Sequence, residues 1–164
     1  MKLHRLEARQ LLPVSVSEAW DFFSDAANLP RITPPWLGFT VTSELPSRMH
    51  PGMIATYTVR PFPGARVRWV TEITHVEAPH LFVDEQRFGP YRFWHHQHHF
   101  AEAPGGVEVR DVVHYALPLN PASAPIRRWM VAPRLRGIFE FRRRTLEGIF
   151  GRMELAGPGS ENPM

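Results

Sequence analysis

The chain carries 164 residues, 43% hydrophobic and 12% aromatic, with 19 basic against 16 acidic side chains and no cysteine. This is enough chain for one domain with a real core and too apolar a composition for disorder, and it has no thiols for a disulfide framework or a thiolate metal site. The net charge of +3 rests on arginines that are scattered, Arg142-Arg143-Arg144 apart, so no nucleic-acid partner is expected. The opening MKLHRLEARQ has no apolar h-region and no apolar run nears about 18 residues, so the expected location is the cytoplasm, with no integral membrane segment.

Residues 2–12 alternate between Leu3, Arg5, Glu7, Arg9, Leu11 and His4, Leu6, Ala8, Gln10, which predicts a strand with one polar face. Ser15 then reads as an N-cap, with Glu18 completing a capping box. The helix it starts carries Val16, Ala19, Trp20 and Phe23 on one stripe and should end near Asp25–Asn28. Leu29 to Trp36 (LPRITPPW) has room for one short helical turn before Pro34-Pro35 forces extended backbone. Five strand-like segments follow, roughly 39–45, 53–61, 66–77, 81–88 and 92–102, and a sixth spans 107–117. Their connectors carry proline or glycine, and the spacing predicts an antiparallel meander.

On 66–77, Val67, Trp69, Thr71 and Ile73 share one face. Residues 81–88 admit two registers. A tight turn at Gly89-Pro90 points Val83, Glu85 and Arg87 inward, whereas a loop one residue longer points Phe82, Asp84 and Gln86 inward. After a loop at 120–123, Ala124 to about Arg152 reads as helix, kinked or broken at Pro133. Its apolar face carries Leu135, Ile138, Phe139, Leu146, Ile149, Phe150 and Met153, with Arg142 near the middle. Residues 1–153 form a single domain on this reading, and 154–164 a disordered tail.

The densest chemistry lies in FWHHQHHF (93–100), four histidines within five positions. With Ala103-Pro104-Gly105-Gly106 as a hairpin loop, Phe100 faces Val109, His98 faces Asp111, His96 faces Val113 and Trp94 faces Tyr115. The more apolar face then holds Trp94, His96, His98, Phe100, Val109, Asp111, Val113 and Tyr115 and should point inward. His95 and His99 fall on the opposite, solvent-facing side.

The segments NLPRITPPWLGF (28–39), FVDEQRFGPYRFWHHQHHF (82–100), VRDVVHYALP (109–118) and IFEFRRRTLEGIF (138–150), in this order, resemble the SRPBCC superfamily, also called START-like or birch-pollen-allergen-like. The chain is most similar to bacterial ligand-binding SRPBCC proteins of the polyketide cyclase/dehydrase-like or cell-division-inhibitor-like type. The resemblance implies an α+β helix-grip fold. In it a curved seven-stranded antiparallel sheet wraps a long C-terminal helix, two short helices close one end, and a hydrophobic cavity lies between. It does not imply a reaction, since members include carriers, receptors and enzymes.

His96 and His98 stand about 7 Å apart along one strand face. With Asp111 they could form a two-histidine, one-carboxylate metal set. The preferred reading is that Asp111 accepts a hydrogen bond from His98, and no metal or cofactor is expected. Arg142 on an apolar helix face must meet a carboxylate, with Glu85, Asp84 and Asp111 as candidates, and it locks helix to sheet or binds an acidic ligand head. Trp36, Phe39, Tyr57, Trp69, Trp94, Tyr115 and Phe139 are inward aromatics. A pocket is preferred over a solid core because a solid core has little use for two histidines, Asp111 and Arg142 as well. The expected partner is a small hydrophobic molecule (lipid, isoprenoid, aromatic or polyketide-like). Its contacts would be Trp36, Tyr57, Trp69, Glu85, Trp94, His96, His98, Asp111, Tyr115, Phe139 and Arg142. The alternative is an enzyme in the same cavity, a cyclase, dehydratase or hydrolase, with His98 and Asp111 as the catalytic candidates for proton transfer. The binding reading is preferred. Nothing in the sequence sets an oligomeric state.

Overall fold

A two-residue turn sets the register on which the inner face of the sheet depends. The structure, a computed structural model, describes residues 2–46, 48–62, 64–118 and 127–153. Strands β6 (Phe93–Ala103) and β7 (Gly106–Ala116) pair antiparallel about Pro104-Gly105. Gly105 takes φ +83° there, a left-handed conformation that glycine adopts without a steric penalty. The pairs are Phe100–Val109, His98–Asp111, His96–Val113 and Trp94–Tyr115, as the sequence predicts. Gly106 is constrained separately, because a Cβ there would lie 2.0 Å from the carbonyl oxygen of Leu12.

The remaining strands are β1 (His4–Leu12), β2 (Thr40–Val41), β3 (Ile54–Phe62), β4 (Ala65–Glu77) and β5 (Leu81–Phe88). They complete one seven-stranded antiparallel sheet in the order β1-β7-β6-β5-β4-β3-β2. The strand expected over 39–45 shrinks to two residues. Beyond Val41 the backbone of β3 is engaged by a side chain, since the Thr56 amide donates to Ser43 Oγ at 3.0 Å.

Helix α1 (Val16–Ser24) begins as the sequence dictates. The Glu18 amide donates to Ser15 Oγ at 3.2 Å and the Ser15 amide returns a bond to Glu18 Oε2 at 2.9 Å. Two 3₁₀ segments follow, Ala26–Ile32 and Pro35–Leu37, where the sequence suggested one turn. The long helix α2 spans Ala132–Phe150, preceded by a π-helical turn at Arg127–Val131. Pro133 falls in the first turn of α2, where its missing N–H costs nothing, so the break sits at the junction between the two helical forms. The predicted loop at 120–123, the first residues of the predicted helix and the predicted tail at 154–164 lie outside the described residues.

Leu135, Arg142 and Leu146 of α2 are buried against the sheet. Ile149 is a correction to the predicted face: it is 37% exposed. In the last turn Phe150 makes the packing instead, its ring 5.2 Å from that of Phe22 on α1.

The core forms two apolar clusters. One gathers Leu12, Val16, Ala19, Phe23, Phe82, Phe100, Val107, Val109 and Leu146 near α1. The other gathers Val113, Tyr115, Leu117, Val131 and Leu135 at the opposite end. Leu146→Ala should therefore lower the unfolding free energy by about 2–5 kcal/mol, whereas Ile149→Ala should cost less than about 1 kcal/mol. Urea denaturation of the two variants measures both, and equal losses would contradict the packing of α2 described here.

Candidate functional site

Between the two clusters every element that crosses the core turns polar at the same level. On β7, Asp111 separates Val109 from Val113; on β6, His98 and His96 separate Phe100 from Trp94; on α2, Arg142 separates Leu146 from Leu135. His96, His98, Asp111 and Arg142 are each at most 8% exposed. Strand β5 adds the fourth side of this belt. It pairs Asp84 with His96 and Phe82 with His98, which is the longer-loop register. Gln86 braces that loop, donating from Nε2 to the Tyr91 carbonyl at 2.6 Å and accepting from the Tyr91 amide at 3.2 Å.

Asp84 is thus the inward carboxylate and Glu85 is not. Glu85 lies on the outer face, where it accepts from His95 Nδ1 at 2.9 Å and from Arg87 at 3.1 Å. This removes Glu85 from the predicted ligand contacts. The parity follows from the loop length and could not be read from composition alone.

The belt is closely bonded. His96 Nε2 donates to Asp111 Oδ1 at 2.9 Å, and its Nδ1 lies 3.3 Å from Asp84 Oδ2. His98 Nε2 donates to the same Asp84 oxygen at 2.9 Å. His98 Nδ1 approaches Asp111 Oδ1 to 2.9 Å but off the hydrogen-bond direction, and is left without a bonded partner. Arg142 Nη1 donates to Asp111 Oδ1 at 3.3 Å, and its guanidinium carbon stands 5.1 Å from the centre of the Phe139 ring. Of the two anchoring roles the sequence left open for Arg142, the structure pairs it with Asp111.

The charges follow. Burial acts to raise the Asp111 carboxyl, but the Arg142 guanidinium and the imidazole bonds outweigh it and hold the carboxyl well below its usual range. Asp84 is lowered too: burial opposes, and the charge and hydrogen bond of His96 prevail. His96 shows the converse, since burial works against its proton while the Asp84 charge and the bond to Asp111 hold it above the ordinary histidine value. The Tyr57 phenol is pushed up by burial first and by the charge on Asp84 second.

One side of the belt faces a cavity of about 210 Å³ between sheet and α2. Tyr57, Trp69, Thr71, Ile73 and Trp94 line its sheet wall, and Leu135, Ile138, Phe139 and Arg142 its helix wall. Leu29, Ile32, Trp36, Met49 and Met53 are among the residues that enclose the remainder. Asp84, His96 and His98 supply polar lining at the level of the belt. Of the predicted contacts, Trp36 stands at the rim at 47% exposed. Asp111 and Tyr115 are buried behind the lining and do not reach the cavity. The aromatic wall is continuous: Trp69 stacks near Tyr57 at 6.1 Å and meets Trp94 edge-on at 5.3 Å. Trp69 Nε1 is buried in that wall without a hydrogen-bond acceptor.

Sequence reasoning missed Tyr91, Met49 and Met53 as lining. Tyr91 lies in the Gly89–Arg92 connector, and the two methionines flank the Pro51-Gly52 turn, so alternation gave no signal for any of them. Thr71 was legible, since it shares a face with Trp69 and Ile73. On the outer face, His95 bonds Glu85, and His99 Nε2 lies 3.0 Å from Gln97 Oε1, as the alternation predicts for solvent-side residues. Arg143 and Arg144 are bound to Glu140, whose carboxyl they draw down to about 2.

The model of the family described as polyketide cyclase/dehydrase and lipid transport matches residues 12–143. The chain belongs to that family. This agrees with the SRPBCC resemblance and the helix-grip architecture expected from the motifs. Among solved structures, a Rhodobacter sphaeroides protein superposes with a TM-score of 0.64 at 21% identity, over 92% of this chain and 95% of that one. A Thermus thermophilus protein, TTHA0849, gives 0.63 at 19% identity over 88% and 95%. Ara h 8.0201 gives 0.60 at 15% identity over 90% and 99%. At these identities the likeness establishes the fold. No curated protein matches the chain. Among the described residues, no helix is long and apolar enough to cross a membrane.

Breaking a buried charge pair by removing one partner costs about 3–5 kcal/mol. Arg142→Met should destabilise by that amount in urea titration, because Asp111 keeps only its imidazole partners. Adding Asp111→Asn should recover part of the loss, and strictly additive losses would show that the two residues are not coupled.

Proposed function

We propose that this protein binds a small, largely hydrophobic molecule of the lipid, isoprenoid, aromatic or polyketide class in the cavity between sheet and α2. The observation that carries the reading is the cavity itself: about 210 Å³, walled by aromatic and aliphatic side chains, with a few convergent polar groups on one side. The family's description, which names lipid transport, supports the same reading. In it, Tyr57, Trp69, Trp94 and Phe139 hold the apolar body. Arg142 is largely committed to Asp111, which makes it a support for the site before it is a ligand contact. We place this activity in the cytoplasm.

A second reading, proton-transfer catalysis in the same cavity, draws on Asp84 and His98, which both line it and bond each other. The acid–base pair proposed from sequence, His98 with Asp111, is replaced in this reading by His98 with Asp84, because Asp111 does not reach the cavity. On it, His98→Gln abolishes turnover of a bound ligand while leaving binding intact.

Native mass spectrometry of the purified protein is expected to show a co-purifying lipid-like mass, and a hydrophobic compound library to raise the melting temperature. Ala55→Trp, which fills the cavity from β3, should remove both effects while leaving the circular dichroism unchanged. A protein that stays empty, with no thermal shift across the library, would sink the binding reading.

A further inference from the structure

We propose that Asp84, His96 and His98 form a binding site for one divalent transition-metal ion, of the zinc or iron(II) type, opening onto the cavity. Asp84 Oδ2 lies 2.9 Å from His98 Nε2 and 3.3 Å from His96 Nδ1, and the three atoms sit within 4.8 Å of one another. An ion held at about 2.0–2.2 Å by nitrogen and carboxylate oxygen keeps neighbouring donors roughly 3.0–3.4 Å apart. Asp84 Oδ2 thus stands close to coordination-sphere spacing from a nitrogen of each imidazole. The carboxylate that completes the two-histidine set is Asp84, on a different strand from the Asp111 that the hairpin alone suggests.

The far side of each imidazole supplies an independent observation. His96 Nε2 and His98 Nδ1 both stand 2.9 Å from one oxygen of Asp111, which Arg142 anchors in turn. Histidines that bind metals direct their second nitrogen at a carboxylate, as His96 Nε2 does at Asp111, which fixes tautomer and ring orientation. With Nε2 donating to Asp84, His98 Nδ1 is a buried nitrogen without a bonded partner, in a residue only 5% exposed. Metal on Nε2 places the ring proton on Nδ1, 2.9 Å from Asp111 Oδ1.

Charge points the same way. Arg142 compensates Asp111, but among the described residues no arginine or lysine pairs with Asp84, whose ion-pair partners are the two imidazoles alone. A divalent ion would take the place of the imidazole protons as the positive partner of Asp84 Oδ2. Two imidazoles and one carboxylate suit zinc, iron(II), cobalt(II) or manganese(II), whereas calcium and magnesium favour all-oxygen sets. Three protein donors leave coordination positions turned toward the cavity for water or for an oxygen on a bound molecule. The site stands whether or not an apolar ligand occupies the cavity.

The test uses the full chain, treated with chelator and then titrated with Zn²⁺. Calorimetry should show one equivalent bound. Long-range ¹⁵N NMR of the histidine rings should show metallation at Nδ1 of His96 and Nε2 of His98, with His95, His99 and His114 unchanged. Co²⁺ should give d–d bands of a nitrogen–oxygen set. Asp84→Asn should lose binding, Asp111→Asn should weaken it roughly 10- to 100-fold, and the outer-face pair His95→Gln and His99→Gln should leave it intact. Absence of stoichiometric binding, or ring shifts confined to His95, His99 and His114, would overturn the proposal. The wild-type NMR result decides the matter even if a belt variant fails to fold.

Discussion

One carboxylate ties the sheet to the helix. Asp111 is buried, accepts from His96, touches His98 and takes the Arg142 guanidinium from α2. An ion pair at this depth adds little net stability over a well-packed apolar pair, because both charges must leave water. Its effect is positional. Arg142 can reach Asp111 only when α2 sits at one height along the sheet, and a slip of one helical turn, about 5.4 Å, would strand both charges. Apolar packing is non-directional; the belt adds a directional constraint.

That constraint also shapes the cavity. Holding α2 away from the sheet at the level of the belt leaves space beside it that side chains do not fill. The polar residues appear at one side of an apolar chamber because the same level of each strand carries them. The chemistry of the site and the seating of the helix are therefore not separable, and a substitution in one disturbs the other.

Much of this was legible in the sequence because strand alternation is a strict constraint. Once Ala103-Pro104-Gly105-Gly106 marked the turn, the pairing of His98 with Asp111 followed, and with it the inward placement of His96. Arg142 stood out because a guanidinium on an apolar helix stripe has few explanations. What failed to show had physical reasons. Glu85 and Asp84 are adjacent, so one residue of loop length exchanges them. The strand expected over 39–45 was cut short by a serine hydroxyl that competes for the backbone of β3. Asp111 and Tyr115 share the inward face but lie behind other side chains, a depth that periodicity does not encode. Met49 and Met53 flank a turn, where no period applies.

The Gln86 brace carries a consequence of a different kind. By tying Tyr91 to β5 it holds the connector at its present length and so sets the parity of the strand before it. Deleting one residue from this connector would rotate β5 by half a pleat. Asp84 would turn outward and Glu85 inward, placing a carboxylate one methylene longer against the histidines. A connector whose Tyr91 lines the cavity thus acts as a selector for the acid inside the chamber. Insertions and deletions there offer related proteins a route to new interior chemistry without a substitution in the interior.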